Sequence, residues 1–146
     1  MQPDLNQLDL VVGDMEATIR FYRALGVAIP EQAIWRTKTG AHHVDVTMPG
    51  GLIVHFDSAA LARTYDRGWR EPTGTGTRNV LSFKVASREE VDRLHDELAG
   101  LGYRSSQPPY DAFWGSRYAI VEDPDGNHVG IMSAPDPARR SAPPDL

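Results

Sequence analysis

One stretch of this chain is repeated, and the repeat limits the folds open to it. Leu8-Asp9-Leu10-Val11-Val12 alternates as a strand, with Leu8, Leu10 and Val12 on one face. Gly13 ends it, and Asp14 is placed to N-cap a helix whose buried stripe is Met15, Thr18, Ile19, Tyr22 and Leu25. Gly26 supplies the C-terminal stop. About 73 residues later the order returns: Leu81, Phe83 and Val85 share a strand face, and Ser87 with Glu90 forms a capping box. Val91, Leu94, Leu98 and Leu101 then make an apolar stripe closed by Gly100 and Gly102.

Strand signals follow each helix. Residues 41–48 and 52–57 flank Pro49-Gly50-Gly51, which reads as a hairpin turn. Residues 118–121 and 129–132 flank Asp123-Pro124-Asp125-Gly126-Asn127, where Pro fixes one backbone angle and Gly frees another. The shared unit is βαβββ, used twice, which predicts an α+β fold. The first module with its linker takes residues 1–74 and the second 75–133; residues 134–146 form a loose tail. Residues 58–79 read as the linker.

Composition narrows function by exclusion. With no Cys, the chain has neither thiolate metal ligands nor a cysteine nucleophile. A net charge of −5, with Arg and Lys scattered, argues against nucleic acid. No apolar run reaches the roughly 18 residues of a membrane span, and Met1-Gln2-Pro3-Asp4 does not open a signal peptide, so the expected compartment is the cytoplasm.

The hairpin carries the densest chemistry. A three-residue loop at 49–51 sets Val46 against Val54 and Val44 against Phe56 on one face. The other face then pairs Thr47 with Ile53, Asp45 with His55, and His43 with Asp57. A one-residue slip would mix apolar and polar residues, so this register is favoured. Three roles stay open for the two His and two Asp: mutually satisfied structural pairs, a polar floor for a ligand, or a non-standard metal or acid–base site. Asp9 and Gln7 share face parity, so Asp9 can add a further carboxylate, whereas His42 points to the other face.

The doubled βαβββ unit resembles the vicinal oxygen chelate superfamily of glyoxalases, bleomycin-resistance proteins and extradiol dioxygenases. The matching strings are Leu10-Val11-Val12-Gly13-Asp14-Met15, Phe21-Tyr22-Arg23-Ala24-Leu25-Gly26, and Trp114-Gly115-Ser116-Arg117-Tyr118 leading into residues 123–127. They cover roughly residues 5–133. The resemblance implies a curved mixed sheet with helices outside, a ligand cavity on the concave face lined by the polar side of the hairpin, and a homodimer. It also places four metal-ligand positions at Gln7, His55, Val80 and Gly130. Only His55 there is a good ligand, so the expectation is no family metal and no other cofactor.

Trp35, Trp69, Phe113 and Trp114 fall in loops or at strand edges, where no periodic core demands them. Aromatic faces beside carboxylates suit planar or cationic ligands, while covering a sheet end is the plainer role. Arg117 is positioned either to hold an anionic group or to brace the turn that follows. His95 is expected to be solvated on its helix, and His128 to face the cavity as a partial replacement ligand. The expected binding set is therefore Gln7, Trp35, His43, Asp45, His55, Asp57, Trp69, Phe113, Trp114 and Arg117, taking a small organic molecule, cationic or planar aromatic. The expected function is drug sequestration of the bleomycin-resistance kind. The alternative is a metal-dependent lyase or isomerase of the glyoxalase class, or a dioxygenase.

Overall fold

The computed structural model describes residues 1–146, which divide into two compact units, Met1–Gly74 and Thr75–Leu146. Each unit holds its own four-stranded mixed sheet. No helix is long and apolar enough to cross a membrane.

In the first unit the strands are β1 (Gln7–Val12), β2 (Ile34–Thr37), β3 (Gly40–Thr47) and β4 (Ile53–Ser58), in the spatial order β1-β4-β3-β2. β1 runs parallel to β4, and the other neighbours are antiparallel. The β3–β4 register matches the predicted one, pairing Val46 with Val54, Asp45 with His55, and His43 with Asp57. Side-chain patterning explains why. In this register Val44, Val46, Val54 and Phe56 are all buried, and α1 (Met15–Leu25) packs onto β3 and β4 over them. Its stripe is buried as expected, Tyr22 stacks on Phe56 at 4.7 Å between ring centroids, and Asp14 caps the helix by accepting from the Ala17 amide at 3.0 Å. Burying a ring such as Phe56 contributes about 1.5–3 kcal/mol, so this face settles the sheet's orientation.

The stretch expected to be all linker is partly a helix. α2 spans Ala59–Tyr65, and the Ser58 hydroxyl caps it by accepting from the Leu61 amide at 3.1 Å. Its seven residues show too little periodicity to stand out in the sequence, yet Ser58 before Ala59-Ala60-Leu61-Ala62 is a capped run of helix formers.

The second unit repeats the plan with β5 (Val80–Lys84), β6 (Ser105–Asp111), β7 (Arg117–Glu122) and β8 (His128–Met132), ordered β5-β8-β7-β6. α3 (Arg88–Gly100) packs on β6, β7 and β8 through Val91, Leu94 and Leu98. Two expectations for this helix need correcting. Leu101 is exposed, because the helix has already ended at Gly100. His95 is buried rather than solvated: its Nε2 meets the Ser105 hydroxyl on β6 at 2.8 Å. Of the acidic residues beside it in sequence, Asp96 reaches its Nδ1 at 3.4 Å. Beyond Ser133, a 3-10 turn at Pro137–Arg139 follows, and the Ser141 amide donates to the Phe113 carbonyl at 2.9 Å.

Candidate functional site

The polar face of the first sheet gathers the charged residues of β1, β3 and β4. Strand alternation puts Gln7 and Asp9 of β1, His55 and Asp57 of β4, and His43 and Asp45 of β3 on one side, opposite the core. Asp57 is the anchor. It is 2% exposed; one oxygen lies 2.6 Å from His43 Nδ1 and the other accepts from the Tyr65 hydroxyl at 2.8 Å. A buried carboxylate is tolerable only when its lone pairs are engaged, and both oxygens are. Burial, followed by the hydrogen bond to Asp57, raises the Tyr65 pKa well above the ordinary phenol value.

A second His–carboxylate pair stands beside the first. His55 Nδ1 lies 2.8 Å from Asp9 Oδ1, and the Gln7 amide donates to both Asp9 oxygens, at 2.9 and 3.2 Å. The imidazoles of His43 and His55 meet edge to face at 4.8 Å. Asp45, 59% exposed at its side chain, reaches only to 3.7 Å from His55 Nε2. An ionised carboxylate can only accept, so each His Nδ1 carries a hydrogen, and in a neutral imidazole Nε2 then presents the lone pair. Gln7, Asp9, His43, His55 and Asp57, with Leu61 and Tyr65 of α2, line an open recess of about 380 Å³.

Of the ten expected binding residues, the structure brings five together on this face: Gln7, His43, Asp45, His55 and Asp57. Trp35 sits on edge strand β2, and its ring leans on His42 at 5.7 Å. Trp69 is covered by the Arg63 guanidinium at 4.9 Å. Neither Trp lines the recess. Phe113 and Trp114 belong to the second unit, where they form an edge-to-face chain with Tyr118 at 5.2 and 5.4 Å. Arg117 is paired not with the turn that follows but with α3 and β6, donating to Asp92 at 2.8 Å and to Asp111 at 3.3 Å, and these carboxylates raise its pKa further. His128 lies 3.7 Å from Glu122 across the β7–β8 ladder. Tyr65 and Leu61 were missed in the sequence because the linker reading hid α2; the Ser58 cap was the available signal.

The four family ligand positions do not fit a metal. Gln7 lies on β1, His55 on β4, Val80 on β5 and Gly130 on β8, and the last two offer no side-chain donor. Gly130 cannot be regarded as a vacant ligand position either. A Cβ there would come within 2.5 Å of the Ser82 hydroxyl and 2.6 Å of the Tyr118 hydroxyl, so neighbouring side chains already occupy the space.

Comparison with known proteins agrees with this architecture. The family model described as Glyoxalase/Bleomycin resistance protein/Dioxygenase superfamily matches residues 4–131. Among solved structures, a glyoxalase-related enzyme from Fulvimarina pelagi superposes with a TM-score of 0.73 at 22% identity, covering 99% of this chain and 100% of that one. A glyoxalase/bleomycin resistance protein/dioxygenase from Nocardioides gives 0.67 at 24% identity, over 100% and 91%. A family enzyme from Burkholderia phytofirmans PsJN gives 0.71 at 21% identity, over 90% and 98%. At these identities the likeness is one of fold, while the family model spans most of the sequence. The chain belongs to the glyoxalase/bleomycin resistance protein/dioxygenase superfamily.

Proposed function

We propose that this protein binds a small organic molecule in the recess of its first unit, in the manner of a drug-sequestering member of its superfamily, and that the recess selects for positive charge. The observation that carries this reading is the convergence of Asp9, Asp45 and Asp57 on one sheet face. That face holds three carboxylates. Asp57 is satisfied by His43 and Tyr65, and Asp9 by His55 and Gln7. Asp45 has no comparable close partner, since its nearest cationic or imidazole nitrogen is 3.7 Å away. Asp45 stands on the same face beside the recess lining, next to His55, so a ligand amine can settle there while its apolar body lies against Leu61 and Tyr65. A charge-assisted hydrogen bond of this kind contributes about 1.5–3 kcal/mol, or roughly 10- to 150-fold in affinity.

The test is calorimetric titration, with chelator present, of planar aromatic amines against their neutral isosteres of equal size. The amine should bind at least about tenfold more tightly, and Asp45→Ala should remove that preference. Equal affinity for amine and neutral isostere would sink the reading. A second function, acid–base catalysis of the glyoxalase-class lyase or isomerase kind, is favoured by one observation: a buried carboxylate orients His43 through Nδ1, leaving Nε2 as a base. The same titration separates the two, because turnover releases heat continuously while binding saturates.

A further inference from the structure

We propose that His43, His55 and Asp45 form a two-histidine, one-carboxylate site for a divalent transition metal, built wholly within the first unit and sharing only His55 with the family's four positions. It deepens the reading of the recess as a place that recruits positive charge, and rests on it. A donor atom from each of the three residues lies within 4.8 Å of the other two. Two ligands on one ion at 2.0–2.2 Å stand about 3.4 Å apart, so the separations are slightly wide for a bound ion. His55 Nε2 to Asp45 at 3.7 Å is already close to that value, and Asp45, the most exposed of the three, can turn its carboxylate inward without disturbing the core.

The arrangement around the imidazoles points the same way. A metal-ligating His donates its other ring N–H to a carboxylate or carbonyl, which fixes the tautomer and raises the basicity of the ligating nitrogen. Both histidines have such a partner, supplied by different strands: Asp57 of β4 for His43 of β3, and Asp9 of β1 for His55 of β4. Those partners are held in turn by Tyr65 and Gln7. His55 Nε2 therefore stands 3.7 Å from Asp45, with a ring nitrogen of His43 within 4.8 Å of the other donors, on a face rich in carboxylates. Imidazole donors favour zinc, cobalt, nickel or ferrous iron over magnesium or calcium. Because the recess is open, coordination positions on the ion would remain for water or for a chelating ligand.

The test uses the full chain without a histidine tag, stripped with chelator and dialysed against Zn(II), Co(II) or Mg(II), with bound metal counted by elemental analysis and the Co(II) absorption spectrum recorded. The expected result is about one equivalent of Zn(II) or Co(II) per chain and no Mg(II) uptake. Asp45→Ala and His43→Ala, confirmed folded by circular dichroism, should lose the bound ion. Asp9→Asn, which keeps all three ligands and changes only the partner of His55, should weaken affinity by about 10- to 100-fold. Uptake below about a tenth of an equivalent would overturn the proposal, as would stoichiometric uptake that survives both Asp45→Ala and His43→Ala. Amine binding by a chain that takes up no metal would overturn this inference and leave the binding reading standing. Metal uptake by a chain that shows no amine preference would do the reverse.

Discussion

Replacing Asp57 with Ala tests whether the polar face is held together by an ionised, buried acceptor. The carboxylate serves His43 Nδ1 at 2.6 Å and the Tyr65 hydroxyl at 2.8 Å, and it is 2% exposed. Hydrogen bonds to a charged group contribute about 1.5–3 kcal/mol each, so the gross loss is about 3–6 kcal/mol. Two effects reduce it. The mutant no longer buries a charge, which recovers part of the desolvation cost. The abandoned donors are also not trapped, because the His43 side chain is 29% exposed and Tyr65 is 55% exposed, so water can reach both. The net destabilisation should be about 2–3 kcal/mol. Urea unfolding followed by circular dichroism and tryptophan fluorescence measures it, and the two probes must coincide because the chain has two units. Tyr65→Phe should cost at most about 1 kcal/mol and lose its effect in the Asp57→Ala background. Stability within about 0.5 kcal/mol of the parent would refute the reasoning, since Asp57 would then not be the acceptor on which both donors rely.

Two further outcomes follow from neighbouring residues. The Tyr65 pKa is raised in the folded chain, by burial first and the Asp57 hydrogen bond second, so its stabilisation is complete below the unfolded value of about 10 and is lost as pH rises beyond it. Urea midpoints across that range should fall less steeply for Tyr65→Phe than for the parent, and identical slopes would contradict the assignment. In the second unit, Gly130→Ala drives a methyl into the Ser82 and Tyr118 hydroxyls and should cost about 1–3 kcal/mol. Combining it with Ser82→Ala should recover part of the loss in the same unfolding assay, and no recovery would mean that the contact is not what limits that position.

How much could be read beforehand depended on which physical signal each element carries. The β3–β4 register was legible because burying Val44, Val46, Val54 and Phe56 together leaves one alignment, and that alignment brings His43, Asp45, His55 and Asp57 to a common face. α1 and α3 were legible from their caps and apolar stripes. The edge strands were not. β2 is four residues long with a bulge after Trp35, and β6 contains Pro108 and Pro109, which signal a loop anywhere except on an edge. The pairing of His55 with Asp9 lay beyond the hairpin, since it depends on β1 coming to lie parallel against β4. The aromatic residues have surroundings that their sequence positions do not reveal, although Trp35 pairs with His43 across the β2–β3 ladder. Trp35 leans on His42 and Trp69 takes up Arg63, and neither ring lines the recess.

The internal repeat lets the two units act as each other's control. Aligned by strand register, Asp9 corresponds to Ser82 and His55 to Gly130, while Asp45 opposite His55 corresponds to Ile120 opposite Gly130. His43 correspondingly falls at Tyr118, and Asp57 at Met132. The same backbone thus carries two different surfaces. In the second unit the Tyr118 hydroxyl meets Ser82 at 3.0 Å beside a glycine that must stay small, and the ring continues an aromatic row through Trp114. At these five positions the second unit has only neutral groups, and its charged residues on that face, Lys84, Glu122 and His128, stand at the strand ends. In the first unit the corresponding positions hold two imidazoles and three carboxylates, although the Ser, Ile and Tyr of the second unit show that the fold does not need charge there. Clustered carboxylates repel one another and add nothing to the hydrophobic core, so stability alone does not account for them. Their concentration on one of two equivalent faces is why the search for a ligand begins at Asp45 and the Nε2 atoms of His43 and His55.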